Sequence, residues 1–304
     1  MWCPEFFRLA VGLGAILGVS PLAASTVTVH RLEAETVLPI EAGIKVEPSG
    51  LCLRDGRLFS VSDDTGDWIF EVVIEAERAV FQPFLHFTPP EGAGFLDLEG
   101  IAPGPADSFY LASEEQARVL QVFSDGTSQW VTDPMAEHPA VHDPGLLRRR
   151  NAGIEGIAVL DENRWLLAGE RQPRGLIEVE GSEVRASTQN LTRFPRELPL
   201  LRLPDFAGLA TEGEAVFGLF RNADLIVSLH ADRDGNWREG AEAWSFAPVT
   251  RSDAFLYAEN QFGHAEGLAV SSTHFYVVLD TNGAARTSDP SDHRPLLLIM
   301  KRPR

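Results

Sequence analysis

One four-residue phrase recurs five times along the chain: Ser49-Gly50-Leu51-Cys52, Glu99-Gly100-Ile101-Ala102, Glu155-Gly156-Ile157-Ala158, Ala207-Gly208-Leu209-Ala210 and Glu266-Gly267-Leu268-Ala269. The intervals are 50, 56, 52 and 59 residues. A repeat of this length marks stacked supersecondary units, because one unit cannot bury its apolar face alone. A second register runs with the first: Phe59, Phe109, Trp165, Phe217 and Phe275 recur, each followed five residues on by Asp64, Glu114, Glu170, Asn222 and Asp280.

Each unit spells four strands. In the first these are Gly50–Arg54, Arg57–Ser62, Trp68–Ile74 and Val80–Phe87, apolar and β-rich, broken by Asp55-Gly56 and Glu75–Arg78. The predicted fold is all-β, a five-bladed β-propeller of four-stranded antiparallel blades, with six blades if a long connection hides a degenerate unit. The last unit supplies only three strands and ends in Leu296–Met300. Thr26–Leu32 is predicted to pair with it, so that an N-terminal strand closes the ring and removes an open sheet edge.

Arg8 precedes an apolar run from Leu9 to Val19, and Ser20-Pro21-Leu22-Ala23-Ala24-Ser25 follows with small residues suited to cleavage. The run is far short of the ~20 residues that span a bilayer. Residues 1–24 therefore read as a signal peptide and 25–304 as a single domain, exported to the periplasm or beyond, without stable membrane insertion. Loss of the leader removes Cys3 and leaves Cys52 as the only thiol, in a slot that holds Ala in the other repeats, which reads as packing. A formal net charge of −18 argues against nucleic acid and anionic membranes as partners. A monomer acting on a small molecule is the expectation.

A blade runs down, up, down and up, so one face receives tight turns such as Arg54-Asp55-Gly56 and the other the long connections. Those are Asp133–Asn151, Asn190–Phe206, Pro248–His264 and Thr281–Arg294. Long loops over a rigid scaffold are where sites lie. Equivalent positions on that face form rings. The inner ring is Ser49, Glu99, Glu155, Ala207 and Glu266; the outer is Asp64, Glu114, Glu170, Asn222 and Asp280.

Three glutamates aimed at one axis raise one another's pKa values unless a cation compensates them. All-oxygen ligation by Ser49, Glu99, Glu155 and Glu266 matches Ca²⁺, with Mg²⁺ the lesser option, and not zinc, which takes His and Cys. The alternative is a water-filled channel with hydrated rim carboxylates. Arg171 and Arg221 adjoin outer-ring positions and are candidates to hold an anionic substrate group. Among His86, His138, His142 and His264, the last stands two residues before Glu266 and is the first candidate acid or base. No serine-hydrolase elbow, phosphate-binding Gly-Lys-Ser/Thr loop or His-Glu-x-x-His helix is present.

Glu47-Pro48-Ser49-Gly50-Leu51 with Asp55–Asp64, Asp97–Ile101 with Ser113-Glu114, Gly153–Ile157 with Gly169-Glu170, and Ala265–Leu268 together resemble the phytase-like propellers described as having esterase-like activity of phytase. More distantly, Ser49, Glu99, Glu155 and Glu266 are similar in kind and order to residues that hold a central Ca²⁺ in calcium-activated nucleotidases. Ala207 departs from that pattern, where a Ser is expected. The resemblance implies calcium-dependent hydrolysis of a phosphate or other ester, with the base drawn from the acids Asp64, Glu114 and Asp280, Glu170 or His264 as further candidates, and Arg171 or Arg221 steadying the anion. A non-catalytic, calcium-stabilised binding propeller is the second reading.

Overall fold

Every one of the five phrases opens the innermost strand of a sheet. The computed structural model describes residues 27–189, 204–259 and 262–303. Two strands precede the repeats, β1 (Thr28–Arg31) and β2 (Ala34–Ala42). The first blade is β3 (Pro48–Arg54), β4 (Arg57–Ser62), β5 (Trp68–Ile74) and β6 (Ala79–His86), within two residues of the predicted strands. The second is β7 (Leu98–Pro103), β8 (Phe109–Ser113), β9 (Arg118–Val122) and β10 (Ser128–Trp130). The third is β11 (Ile154–Asp161), β12 (Arg164–Gly169), β13 (Gly175–Glu180) and β14 (Glu183–Thr188). The fourth is β15 (Phe206–Glu212), β16 (Ala215–Phe220), β17 (Leu225–Ala231) and β18 (Trp237–Ser245). The last unit contributes β19 (Ala265–Val270), β20 (His274–Leu279) and β21 (Leu296–Lys301). Consecutive strands pair antiparallel within each sheet, and β3, β7, β11, β15 and β19 pack side by side in a closed ring.

An N-terminal strand closes the ring as expected, but a different segment does it. Ala34–Ala42 runs antiparallel to β21, with Leu38 opposite Leu297, and completes the last blade. Its final residues then turn alongside β6, where Ile40 pairs with Ala79, and so join the last blade to the first. The predicted closing segment lies instead parallel to β18, on the outer edge of the fourth blade. Length and burial explain the exchange. Nine residues reach both blades and bury Leu38 and Ile40 between them, whereas four-residue β1 only caps an edge, His30 stacking on Trp244.

The recurrent aromatic slot is the glue between blades. Phe59, Phe109, Trp165, Phe217 and Phe275 are all buried. Phe59 meets Phe109 edge-on at 5.1 Å, and Phe217 meets Phe275 at 5.7 Å. Such pairs contribute about 0.5–1.5 kcal/mol each beyond the area they bury. Cys52 is buried in the same cluster as Phe59 and Phe109, and burial pushes its thiol pKa up, as a packing residue requires.

The two short helices among the described residues, α1 (Pro139–His142) and α2 (Ala247–Thr250), lie in the long connections. His138 caps α1 by accepting the Ala140 N–H, and His86 contacts Asp67. Residues 1–24, expected to be a signal peptide, and most of Asn190–Phe206 lie outside the described residues. No helix among the described residues is long and apolar enough to cross a membrane.

Candidate active site at the propeller mouth

The repeated phrase builds the site through a β-bulge. In the second to fifth units the ladder skips one residue of the inner strand, so that Glu99, Glu155, Ala207 and Glu266 have no partner opposite them. In the first unit the skip takes in Ser49 and Gly50. A bulged residue leaves the pleat and is re-aimed. Here Ser49, Glu99, Glu155 and Glu266 line one cavity of about 210 Å³ at the mouth of the ring. The glycine after each bulge is a point of contact between blades. A Cβ on Gly156 would stand 2.6 Å from the Leu209 backbone nitrogen, and one on Gly267 2.6 Å from the Ser49 carbonyl oxygen.

The outer ring divides. Glu114, Glu170 and Asp280 line the same cavity. Glu114 accepts the Gly153 N–H at 2.8 Å, and Asp280 accepts the Asn282 N–H at 2.7 Å. Asp64 does not line the cavity: it turns outward to Lys45 Nζ at 2.8 Å, and its neighbour Asp63 takes the inward place. Asn222 is paired with Asp205 at 3.1 Å. Asp63 is the functional candidate missed in the sequence. The signal was there in the Asp63-Asp64 doublet, but the period of two in the preceding strand does not say which of two adjacent acids turns inward once the strand has ended.

Arg221 sits among the acids. Its guanidinium donates to Glu266 at 2.9 Å, to Glu170 at 3.1 Å and to Glu155 at 3.2 Å. Arg171 lies nearer the rim, pairs with Glu170 and donates to the Asn151 carbonyl at 2.7 Å. His264 is buried, its two ring nitrogens 2.8 Å and 2.5 Å from the backbone oxygens of Asp280 and Glu259. That geometry ties it into the loop, with neither nitrogen directed at the acid cavity.

Too many carboxyls share too little water. Burial raises Glu155 to about 8 and Glu266 to about 7, against the pull of Arg221. Burial, with repulsion from Glu47, raises Asp63 to about 7. Burial and the charges of Glu155 and Glu266 push Glu99 well above the ordinary range. Asp63 Oδ1, Glu170 Oε2 and Arg221 Nε are buried without a hydrogen-bond partner, so polar groups of the cavity wall still have bonding capacity to spare.

The sign of the pH dependence follows. These acids bind protons more tightly in the folded chain than in the unfolded one, so the native state holds more protons between about pH 4.5 and 8. Stability contributed by the site is highest at the acid end of that window, falls as pH rises through it and levels off above. Melting curves from pH 5 to 8.5 should show this decline, and Glu266→Gln should flatten it. A stability that climbs across that range would contradict the assignment.

Three of the four expected metal ligands have partners within the protein. Ser49 Oγ donates to the Leu98 carbonyl at 2.8 Å, and Glu155 and Glu266 are held by Arg221. Among the described residues, the acid sets whose oxygens come within 4.8 Å of one another are Glu47, Asp63 and Asp64, and Asp97, Glu99 and Glu114, the second of which includes the predicted ligand Glu99.

Fold and site together define a closed propeller with a buried cavity of acids and guanidinium groups at its mouth. The chain belongs to the phytase-like family, described as having esterase-like activity of phytase, whose pattern matches residues 44–195, through the first three blades. Among solved structures it is similar to the glutaminyl cyclase of Myxococcus xanthus, at 12% identity and a TM-score of 0.55, covering 91% of this chain and 98% of that one. It is also similar to the PQQ-bound aldose sugar dehydrogenase of Streptomyces coelicolor, at 13% identity and a TM-score of 0.51, covering 89% and 97%. At such identities these likenesses show the shared fold. No curated protein matches the sequence.

Proposed function

We propose that the protein is an exported ester hydrolase whose substrate carries an anionic group, with phosphate esters the first class to test. The observation that carries this reading is Asp63: a cavity-lining carboxylate with a buried, unbonded oxygen and a pKa near neutrality, in the same cavity as the Arg171 guanidinium. A proton acceptor matched to the working pH and a cation for the substrate are the two parts that ester hydrolysis by an attacking water asks of a site.

In this scheme Asp63 takes a proton from a water whose oxygen attacks the phosphorus or acyl carbon. The ester bond to the leaving oxygen breaks, and Glu99, which lines the same cavity and whose carboxyl is pushed well above the ordinary range by burial and the neighbouring acids, returns a proton to that oxygen. Arg171, half-exposed at the rim, receives the anionic group. Beyond Arg171 and Arg221 a second cavity of about 690 Å³, bordered by Phe262, His264 and Asn282, has room for the organic part of the substrate. Leader-like residues 1–24 support export. The family description supports the reaction class.

The test is direct. Phytate, nucleoside di- and triphosphates, an aryl phosphate and a simple acyl ester are each incubated with the purified protein, and released phosphate or alcohol is measured. Turnover of any one names the class. Release from none of them by folded protein would sink the hydrolase reading and favour a propeller that binds without catalysis.

A further inference from the structure

We propose that Arg221 is the resident cation of the inner acid ring, tying the blades together in the way a divalent ion would, so that the folded protein needs no metal at its centre. The blade whose inner-ring slot lacks an oxygen donor, at Ala207, is the blade that supplies the guanidinium, from the residue that follows β16. From there Arg221 reaches Glu155 and Glu170 in the third blade and Glu266 in the fifth. One side chain therefore bonds three acids on the two flanking blades.

Those three acids are buried, with Glu170 only 1% exposed. A planar guanidinium with several fixed donors suits such a cluster better than a point charge. Of the two remaining ring positions, the Ser49 hydroxyl is used as a donor to the second blade, at the Leu98 carbonyl, and Glu99 lies beside Asp97 and Glu114. A cation on Glu155 and Glu266 would either share them with Arg221, setting two positive charges side by side, or displace Arg221 from Glu155 Oε2 and Glu266 Oε1 and leave the guanidinium without those partners. Displacement is costly, because breaking buried ion pairs exposes the full desolvation penalty of each member.

The inference does not depend on hydrolysis, and its readouts are binding and melting rather than turnover. The purified protein is stripped with chelator and melted with and without 1 mM Ca²⁺ or Mg²⁺, and Ca²⁺ binding is followed by calorimetric titration. We expect no binding heat and a melting temperature that moves by less than about 1 °C, whereas a site filled at 100 times its Kd would raise it by roughly 5–10 °C. Arg221→Gln should melt lower and should gain a Ca²⁺-dependent rise. If that variant does not fold, Arg221→Lys keeps the charge, and the wild-type titration stands without either. A wild-type melting temperature that drops by several degrees in chelator and is restored by Ca²⁺, or a Ca²⁺ titration abolished in Glu155→Gln, would overturn the proposal.

Discussion

Gly156→Ala should lower the melting temperature by roughly 6 °C or more, while Gly208→Ala, the same change one repeat later, should cost far less. The added Cβ at Gly156 would lie 2.6 Å from the Leu209 nitrogen and 2.7 Å from the Gly208 carbonyl carbon. Both are backbone atoms of the next inner strand, so no side chain can swing aside, and the two blades must part. Overpacking a dense interior costs about 1–3 kcal/mol when side chains can adjust, and the upper end or beyond applies where only backbone can yield. At about 2 °C per kcal/mol for a chain of this size, the shift is readily measured. At Gly208 the nearest backbone atom, Leu268 N, is 3.5 Å away, which is ordinary contact. Equal losses at the two positions would mean that blade spacing is not what the glycines serve.

Asp63→Asn should reduce kcat on whichever ester is turned over by about 10²–10³, with KM changed little, since the loss of a positioned proton acceptor costs this much. The Asn side chain keeps the shape and removes the basic oxygen. Asp64→Asn is the discriminating partner, because Asp64 is engaged with Lys45 on the outer side. A large loss at Asp64 with Asp63→Asn active would reverse the assignment of the base. The pH profile of kcat/KM should rise through a pKa near 7 on its acid limb, where burial sets Asp63.

Much of this architecture was legible because the repeat reports the same physics five times. Phe59, Phe109, Trp165, Phe217 and Phe275 share a slot because each fills the gap to a neighbouring blade. The Glu-Gly words share a register because each marks a bulge followed by a close inter-blade approach. The first blade's strands matched the alternation of apolar residues to within two positions. The closing strand was misplaced. Thr26–Leu32 and Ala34–Ala42 are both plausible strands, and which one enters the last blade depends on how far each reaches between β21 and β6.

The site was harder to read than the fold. In the sequence Arg221 is a candidate to hold an anionic substrate group, and in the structure it faces Glu155, Glu170 and Glu266. Nothing in linear spacing says that a residue after one strand's end will cross to acids 66 and 45 positions away in the chain. Asp63 and Asp64 differ by one step and point to opposite sides of a turn.

What the sequence by itself determined is the propeller, its blade register and the ring of acids at its mouth, because those follow from local alternation repeated at a fixed period. What only the tertiary structure decided is which guanidinium bonds three of the acids at that mouth and which carboxylates keep an unbonded oxygen. Those depend on distances between blades, where burial and Coulomb interaction act through space and not along the chain.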